Sequence, residues 1–201
     1  MKIIGITGRS GCGKSSATNF LARQGYPCID ADRIARDVLL PGSPCLEKLQ
    51  AYFGQDILEA DGTLKRRLLA DRAFATPEGT RVLTEITQPE ILRRIEERLR
   101  QAQASGAGMA FVDGAVIVGT PFEPRCDALV LITAPYETSV QRICARDGIS
   151  PEMARRRLDA QTSLDTLRAA ATIEIVNDGT AGQLENKVEA YLESLGKEEH
   201  G

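Results

Sequence analysis

A chain of 201 residues, 42% hydrophobic and 26% charged, is long enough for one core fold with an elaboration, and its composition excludes a disordered polymer. The net charge of −3, with four tyrosines, five phenylalanines and no tryptophan, excludes a polymeric nucleic-acid partner, which needs basic excess for phosphates and rings for stacking. No apolar run approaches the roughly 20 residues of a membrane span, and the single histidine, His200, excludes Ser-His triads and His-rich metal sites.

Residues 3–7, Ile-Ile-Gly-Ile-Thr, predict a strand, and Ala17, Phe20 and Leu21 at helical spacing predict a helix over 14–24. Between them stands Gly8-Arg9-Ser10-Gly11-Cys12-Gly13-Lys14-Ser15, a complete GxxxxGK[ST]. Glycines let the backbone curl around a phosphate without Cβ clashes, and a helix N-terminus adds positive potential. Lys14 reaches the β/γ-phosphates and Ser15 offers a hydroxyl to Mg²⁺. Cys12 has two readings in this loop: a thiol acidified by Lys14 and the helix N-terminus, or a small filler.

A second strand over Tyr26–Ile29 runs into Asp30-Ala31-Asp32. Asp32 then reads either as the carboxylate that deprotonates an acceptor hydroxyl or as the N-cap of a helix over Arg33–Leu40, with Arg33 and Arg36 able to bind anions. From Asp32 to Ser105 the pattern is helical. Cys45, Leu46 and Leu49 mark one helix, Leu64, Leu68 and Leu69 another, and Ile91, Leu92, Ile95 and Leu99 a third with Pro89 in its first turn. So long an excursion predicts a substrate-binding lobe.

Three further strands follow at Met109–Val112, Ala128–Ile132 and Ile173–Val176. Runs like these, separated by helices, predict an α/β fold with a parallel sheet covered on both faces. Asp113 reads as a Mg²⁺-shell residue or a strand-end turn. Arg142 and Arg146, four apart on a helix over Tyr136–Asp147, share a face that could clamp phosphates. Arg155-Arg156-Arg157 reads as a polar helix face, and Asn186-Lys187-Val188-Glu189 as helix surface rather than a guanine-binding NKxD. Without a hydrolytic base after Asp113, a small-molecule kinase is the favoured class. The five dispersed cysteines and the lack of a signal-peptide core predict a cytoplasmic protein, and a monomer is the simplest expectation.

The P-loop, Ile29-Asp30-Ala31-Asp32-Arg33-Ile34-Ala35-Arg36, Tyr52-Phe53-Gly54, Arg142-Ile143-Cys144-Ala145-Arg146-Asp147-Gly148, Ala160-Gln161 and Asn177-Asp178-Gly179 together resemble the dephospho-CoA kinase family, in order along nearly the whole chain. The resemblance implies a P-loop three-layer α/β/α core with a five-stranded parallel sheet, at 1–31, 105–137 and 169–201. It also implies a helical acceptor-binding insertion at 32–104 and a helical lid at 138–168. The implied reaction moves the γ-phosphoryl of ATP, with Mg²⁺, to the 3′-hydroxyl of dephospho-CoA. Asp32, Lys14 and Arg142 would be catalytic. ATP would be held by Gly8, Gly11, Cys12, Gly13, Lys14, Ser15, Ser16, Arg142, Arg146 and Asn177, the last in a loop near adenine. Thr7, Asp32 and Arg36 would face the acceptor, and Ser15 the metal. The chain differs from the family pattern at Gln88-Pro89, where His-Pro is usual, and over Ala115–Gly119, where Gly119 replaces a glutamate. Both differences are expected on the acceptor side.

Overall fold

The computed structural model describes residues 1–114 and 117–197. Ala115 and Val116, two of the five residues in the Ala115–Gly119 departure from the family, and His200 lie outside the described residues. In chain order the elements are β1 (Lys2–Thr7), α1 (Lys14–Arg23), β2 (Cys28–Asp30), α2 (Ala31–Asp37), α3 (Pro44–Phe53), α4 (Arg66–Ala73) and α5 (Pro77–Ala104). They continue with β3 (Met109–Asp113), β4 (Ala128–Thr133), α6 (Tyr136–Asp147), α7 (Pro151–Asp159), α8 (Leu164–Ala170), β5 (Ile173–Val176) and α9 (Ala181–Lys197). The chain divides into two compact units, Met1–Ile29 with the chain from Ala102 onward, and Asp30–Gln101.

The first unit carries the parallel sheet, in the order β2-β3-β1-β4-β5. β1 sits at its centre, with Ile6 opposite Asp113 of β3 and Thr7 opposite Leu131 of β4. Every residue of β4 is buried, as expected where helices cover both faces and alternation disappears. Ile4, Ile6, Phe111, Val130, Ile132 and Ile175 of the sheet pack with Phe20 and Leu21 of α1 and Leu184, Val188 and Tyr191 of α9. The face with Val188 turned inward leaves Lys187 outside, so Asn186–Glu189 is helix surface. α6 and α7 form their own cluster through Val140, Ile143, Ala154 and Leu158, and Arg155 and Arg157 pair with Glu137 and Asp147 across it.

The second unit is helical and closes on Leu49, Phe53, Ile57, Leu69 and Ala73, against which Val82, Leu83 and Ile86 pack. One expectation is corrected here: Pro89 does not start a helix but lies inside α5, which spans 28 residues. Its missing N–H leaves the carbonyl of Glu85 without the usual helical donor. Extra donors serve neighbouring carbonyls, Thr87 Oγ1 to Leu83 O at 2.8 Å and Cys45 Sγ to Ile86 O at 3.4 Å. Buried Ile91, Ile95, Leu99 and Ala102 carry one stripe across the later turns, and Glu90 pairs with both Arg93 and Arg94.

Candidate active site

β1 ends at Thr7, which is 1% exposed, and the chain leaves the sheet into the glycine-rich loop. α1 begins at Lys14 with Gly13 as its N-cap in a left-handed conformation and no side chain capping it. The N–H groups of Lys14 and Ser15 are therefore left for an anion, whereas Ser16 N donates to Gly13 O at 3.0 Å, and the exposed Ser15 and Ser16 stand on that turn. The Lys14 ammonium arches back over the loop and donates to Gly8 O at 3.0 Å. Gly11 has φ +76, and a Cβ there would meet the Ser139 carbonyl at 2.5 Å. Only glycine lets α6 approach the loop so closely.

Side chains distant in sequence brace this loop from beneath and beside. Asn177, 5% exposed at the end of β5, donates through Nδ2 to Cys12 O at 2.8 Å. That bond ties Asn177 to the loop backbone, so Asn177 helps shape the cradle. Arg142 Nη1 reaches Gly11 O at 3.3 Å and Cys12 O at 3.5 Å. Arg9 Nη2 donates to Leu158 O and lies 4.0 Å from Asp159 Oδ1.

The structure bears on two further residues of this unit. Cys12 is 2% exposed, and burial pushes its thiol up, outweighing the nearby Lys14 charge, while Asp113 pushes the same way. The filler reading holds, and the acidified thiol does not. Arg146 does not join Arg142 at the loop. Four residues further along is about 6 Å of helix, and there Arg146 makes a two-pronged pair with Asp147 at 2.7 and 2.9 Å. Hydrogen bonds from Arg146, with the Arg157 charge beside them, pull the Asp147 carboxyl down to about 2.

In the helical unit the structure removes the capping reading of Asp32. Asp30, not Asp32, is the N-cap of α2: its backbone is extended and its Oδ1 accepts from Arg33 N at 2.7 Å. Asp32 is a half-buried residue of the first turn, and its carbonyl accepts from Arg36 Nε at 3.2 Å. The helix over Arg33–Leu40 is accordingly shorter and begins two residues earlier, at Ala31. Gln88 is half-buried in α5 beside Pro89, and Pro89 lines a cleft of about 470 Å³ with Val38, Lys48, Ile86, Arg93 and Arg94.

Gly119, in the other unit, adopts φ +74 and donates its N–H to Glu123 Oε2 at 2.6 Å. A glutamate at 119 would sit on left-handed backbone, at a cost of about 1–2 kcal/mol, and this turn already holds a carboxylate four residues on.

Among the described residues no three His, Cys, Asp or Glu side chains cluster as a metal cage. Mg²⁺ needs only one or two protein oxygens when phosphates supply the rest, so Ser15 with Asp113 is a donor set of the right hardness. The charge of Asp113 is felt at Cys12, in the loop itself. Sequence reasoning missed Gln161 as a loop partner. Its amide grips Ser10 across 151 residues, and no local pattern could signal that contact.

Comparison with known proteins follows the same outline. The dephospho-CoA kinase family model matches residues 2–183. The curated dephospho-CoA kinase of Corynebacterium glutamicum is 38% identical over 181 residues, covering 90% of each chain. A crystal structure of a Thermus thermophilus protein superposes with a TM-score of 0.82 at 32% identity, over 96% of this chain and 97% of that one. The dephospho-CoA kinase of Campylobacter jejuni superposes with a TM-score of 0.70 at 25% identity, over 99% and 100%.

Proposed function

The chain belongs to the dephospho-CoA kinase family, and from that premise we propose that it moves the γ-phosphoryl group of ATP onto the 3′-hydroxyl of dephospho-CoA. It is a transferase that phosphorylates dephospho-CoA with ATP, in coenzyme A biosynthesis. The observation that carries the finer reading is the phosphate loop, with Lys14 arched over it and Arg142 seated on its carbonyls.

Phosphoryl transfer asks little covalent chemistry of the protein and much positioning and charge stabilisation. Loop N–H groups and the α1 N-terminus hold the β- and γ-phosphates, and Lys14 neutralises charge on them. Arg142 has further N–H groups beyond the one on the loop carbonyls, and these turn to the phosphoryl in flight. Arg146 serves the lid through Asp147 instead of the phosphates. Asp32 takes the proton of the attacking hydroxyl. Ser15 and Asp113 would hold Mg²⁺, which would neutralise charge on the triphosphate. The family resemblance assigns Thr7 and Arg36 to the acceptor, and in the helical unit a cleft of about 470 Å³ offers a mixed lining, Val38, Ile86 and Pro89 beside Lys48, Arg93 and Arg94 and the carboxylates of Glu85 and Glu90. Five free thiols fit a reducing cytoplasm, and no helix of the described residues is long and apolar enough to cross a membrane.

The test is a coupled assay of ATP turnover against a panel of alcohols, run on the wild type and on Lys14→Ala. Turnover should depend on dephospho-CoA, and the variant should lose about 10²–10³-fold, as when a preorganised charge partner is removed, with its melting temperature unchanged. Turnover indifferent to dephospho-CoA would refute the acceptor, and an active Lys14→Ala would refute the phosphate cradle.

A further inference from the structure

Gln161 lies two residues past the end of α7 and uses its side-chain amide twice on Ser10. Ser10 N donates to Oε1 at 2.9 Å, and Nε2 donates to Ser10 Oγ at 2.7 Å. A backbone N–H can only donate, so the amide orientation is fixed, and an amide offers an acceptor and a donor side by side. Arg142 of α6 meets the loop backbone too, on Gly11 O and Cys12 O. Because α6 and α7 are locked together by Val140, Ile143, Ala154 and Leu158, these contacts, together with Arg9 Nη2 on Leu158 O, fix how the pair sits on the loop. Without the Gln161 contact the Ser10 end of the loop would be held less closely to the pair. Gln161 also lines, with Thr7, Gly8, Arg9, Ala160 and Thr162, a cavity of about 230 Å³ beside the first residues of the loop.

We propose that Gln161 is a positioning residue for phosphoryl transfer, acting through Ser10 to hold the loop in register with the helix that carries Arg142. The proposal rests on the kinase reading above. Misplacement of a catalytic cation by about 1 Å can cost on the order of 10²-fold in rate without weakening ground-state binding, so the effect belongs in kcat.

The experiment compares steady-state kinetics of wild type, Gln161→Ala, Gln161→Glu, Ser10→Ala and the double variant Ser10→Ala/Gln161→Ala, with thermal melts of each. Gln161→Ala should lower kcat about 10–100-fold while KM for ATP stays within about 3-fold. Gln161→Glu can still accept from Ser10 N–H and Oγ–H but brings a negative charge to a phosphate site. It should therefore recover most of kcat and raise KM for ATP, a split that simple loss of packing would not produce. The double variant should lose no more than Gln161→Ala alone, since both act on one contact. A kcat for Gln161→Ala within about 2-fold of wild type, or single losses that multiply in the double variant, would overturn the proposal. If Gln161→Ala melts early, the glutamate variant decides: the same loss of kcat there, with KM unmoved, overturns it equally. An active wild type with an indifferent Gln161→Ala defeats this proposal alone, whereas a wild type unable to phosphorylate dephospho-CoA defeats the kinase reading too.

Discussion

Two aspartates, two residues apart, show how much a single carboxylate's surroundings decide. Asp30 caps α2 through Arg33 N, which frees the function of Asp32 from the helix end. Asp30→Ala should cost about 1 kcal/mol of stability through the lost cap, read as a lower melting temperature. Asp32→Asn should leave the melting temperature alone and lower turnover by about 10²–10⁴-fold, the range for a positioned general base. A destabilised Asp32→Asn with normal turnover would return Asp32 to a structural role. The spacing of these aspartates was plain in the sequence, but which of them caps was not. Either could begin a helix, and the choice rests on where the chain leaves β2. Cys12 teaches the same lesson, because its neighbours in sequence lower a thiol pKa and its neighbours in space raise it.

At the level of elements, the pairing of α6 with α7 is the feature with a pH signature. Asp147 joins Arg146 and Arg157, and its carboxyl is held at about 2, below the ordinary value of about 4. A depressed folded pKa means that the contribution is complete above the ordinary value and is lost as the pH falls through about 2. Amide exchange of α6 and α7, corrected for intrinsic rates, should thus be constant from pH 8 to 5 and loosen between about pH 4 and 2. Asp147→Asn should loosen the pair at every pH and abolish that dependence. Protection that falls already between pH 7 and 5 would assign the tether to another group. The helical spacing that put Arg142 and Arg146 on one face was legible, whereas their parting onto different partners was not, because Arg157 comes from the next helix.

For the molecule as a whole, the division into Met1–Ile29 with the chain from Ala102, and Asp30–Gln101, bears on ligand response. ATP at about 100 times its Kd should raise stability by about 2.7 kcal/mol. Protection from amide exchange by ATP should concentrate at residues 8–16, 136–161 and 177–179, while dephospho-CoA alone should protect within 30–101. ATP protection confined to 30–101 would reverse the assignment of nucleotide and acceptor.

By itself the sequence determined the parallel sheet, the phosphate loop and the helical character of 32–104, because each is written in local pattern: β-branched runs, an eight-residue glycine motif, apolar residues at helical spacing. Pro89 falls within that helical segment, in the interior of α5 and not at a helix start. Only the tertiary structure decided what surrounds the loop. Asn177 beneath Cys12, Ser139 against Gly11 and Gln161 clasping Ser10 are separated from the loop by well over a hundred residues. Such contacts depend on the order of strands in the sheet and the packing of α6 on α7, which bring together side chains that no periodicity connects. Burial likewise settled the thiol of Cys12, since desolvation is set by everything packed around a group and not by the residues beside it in the chain.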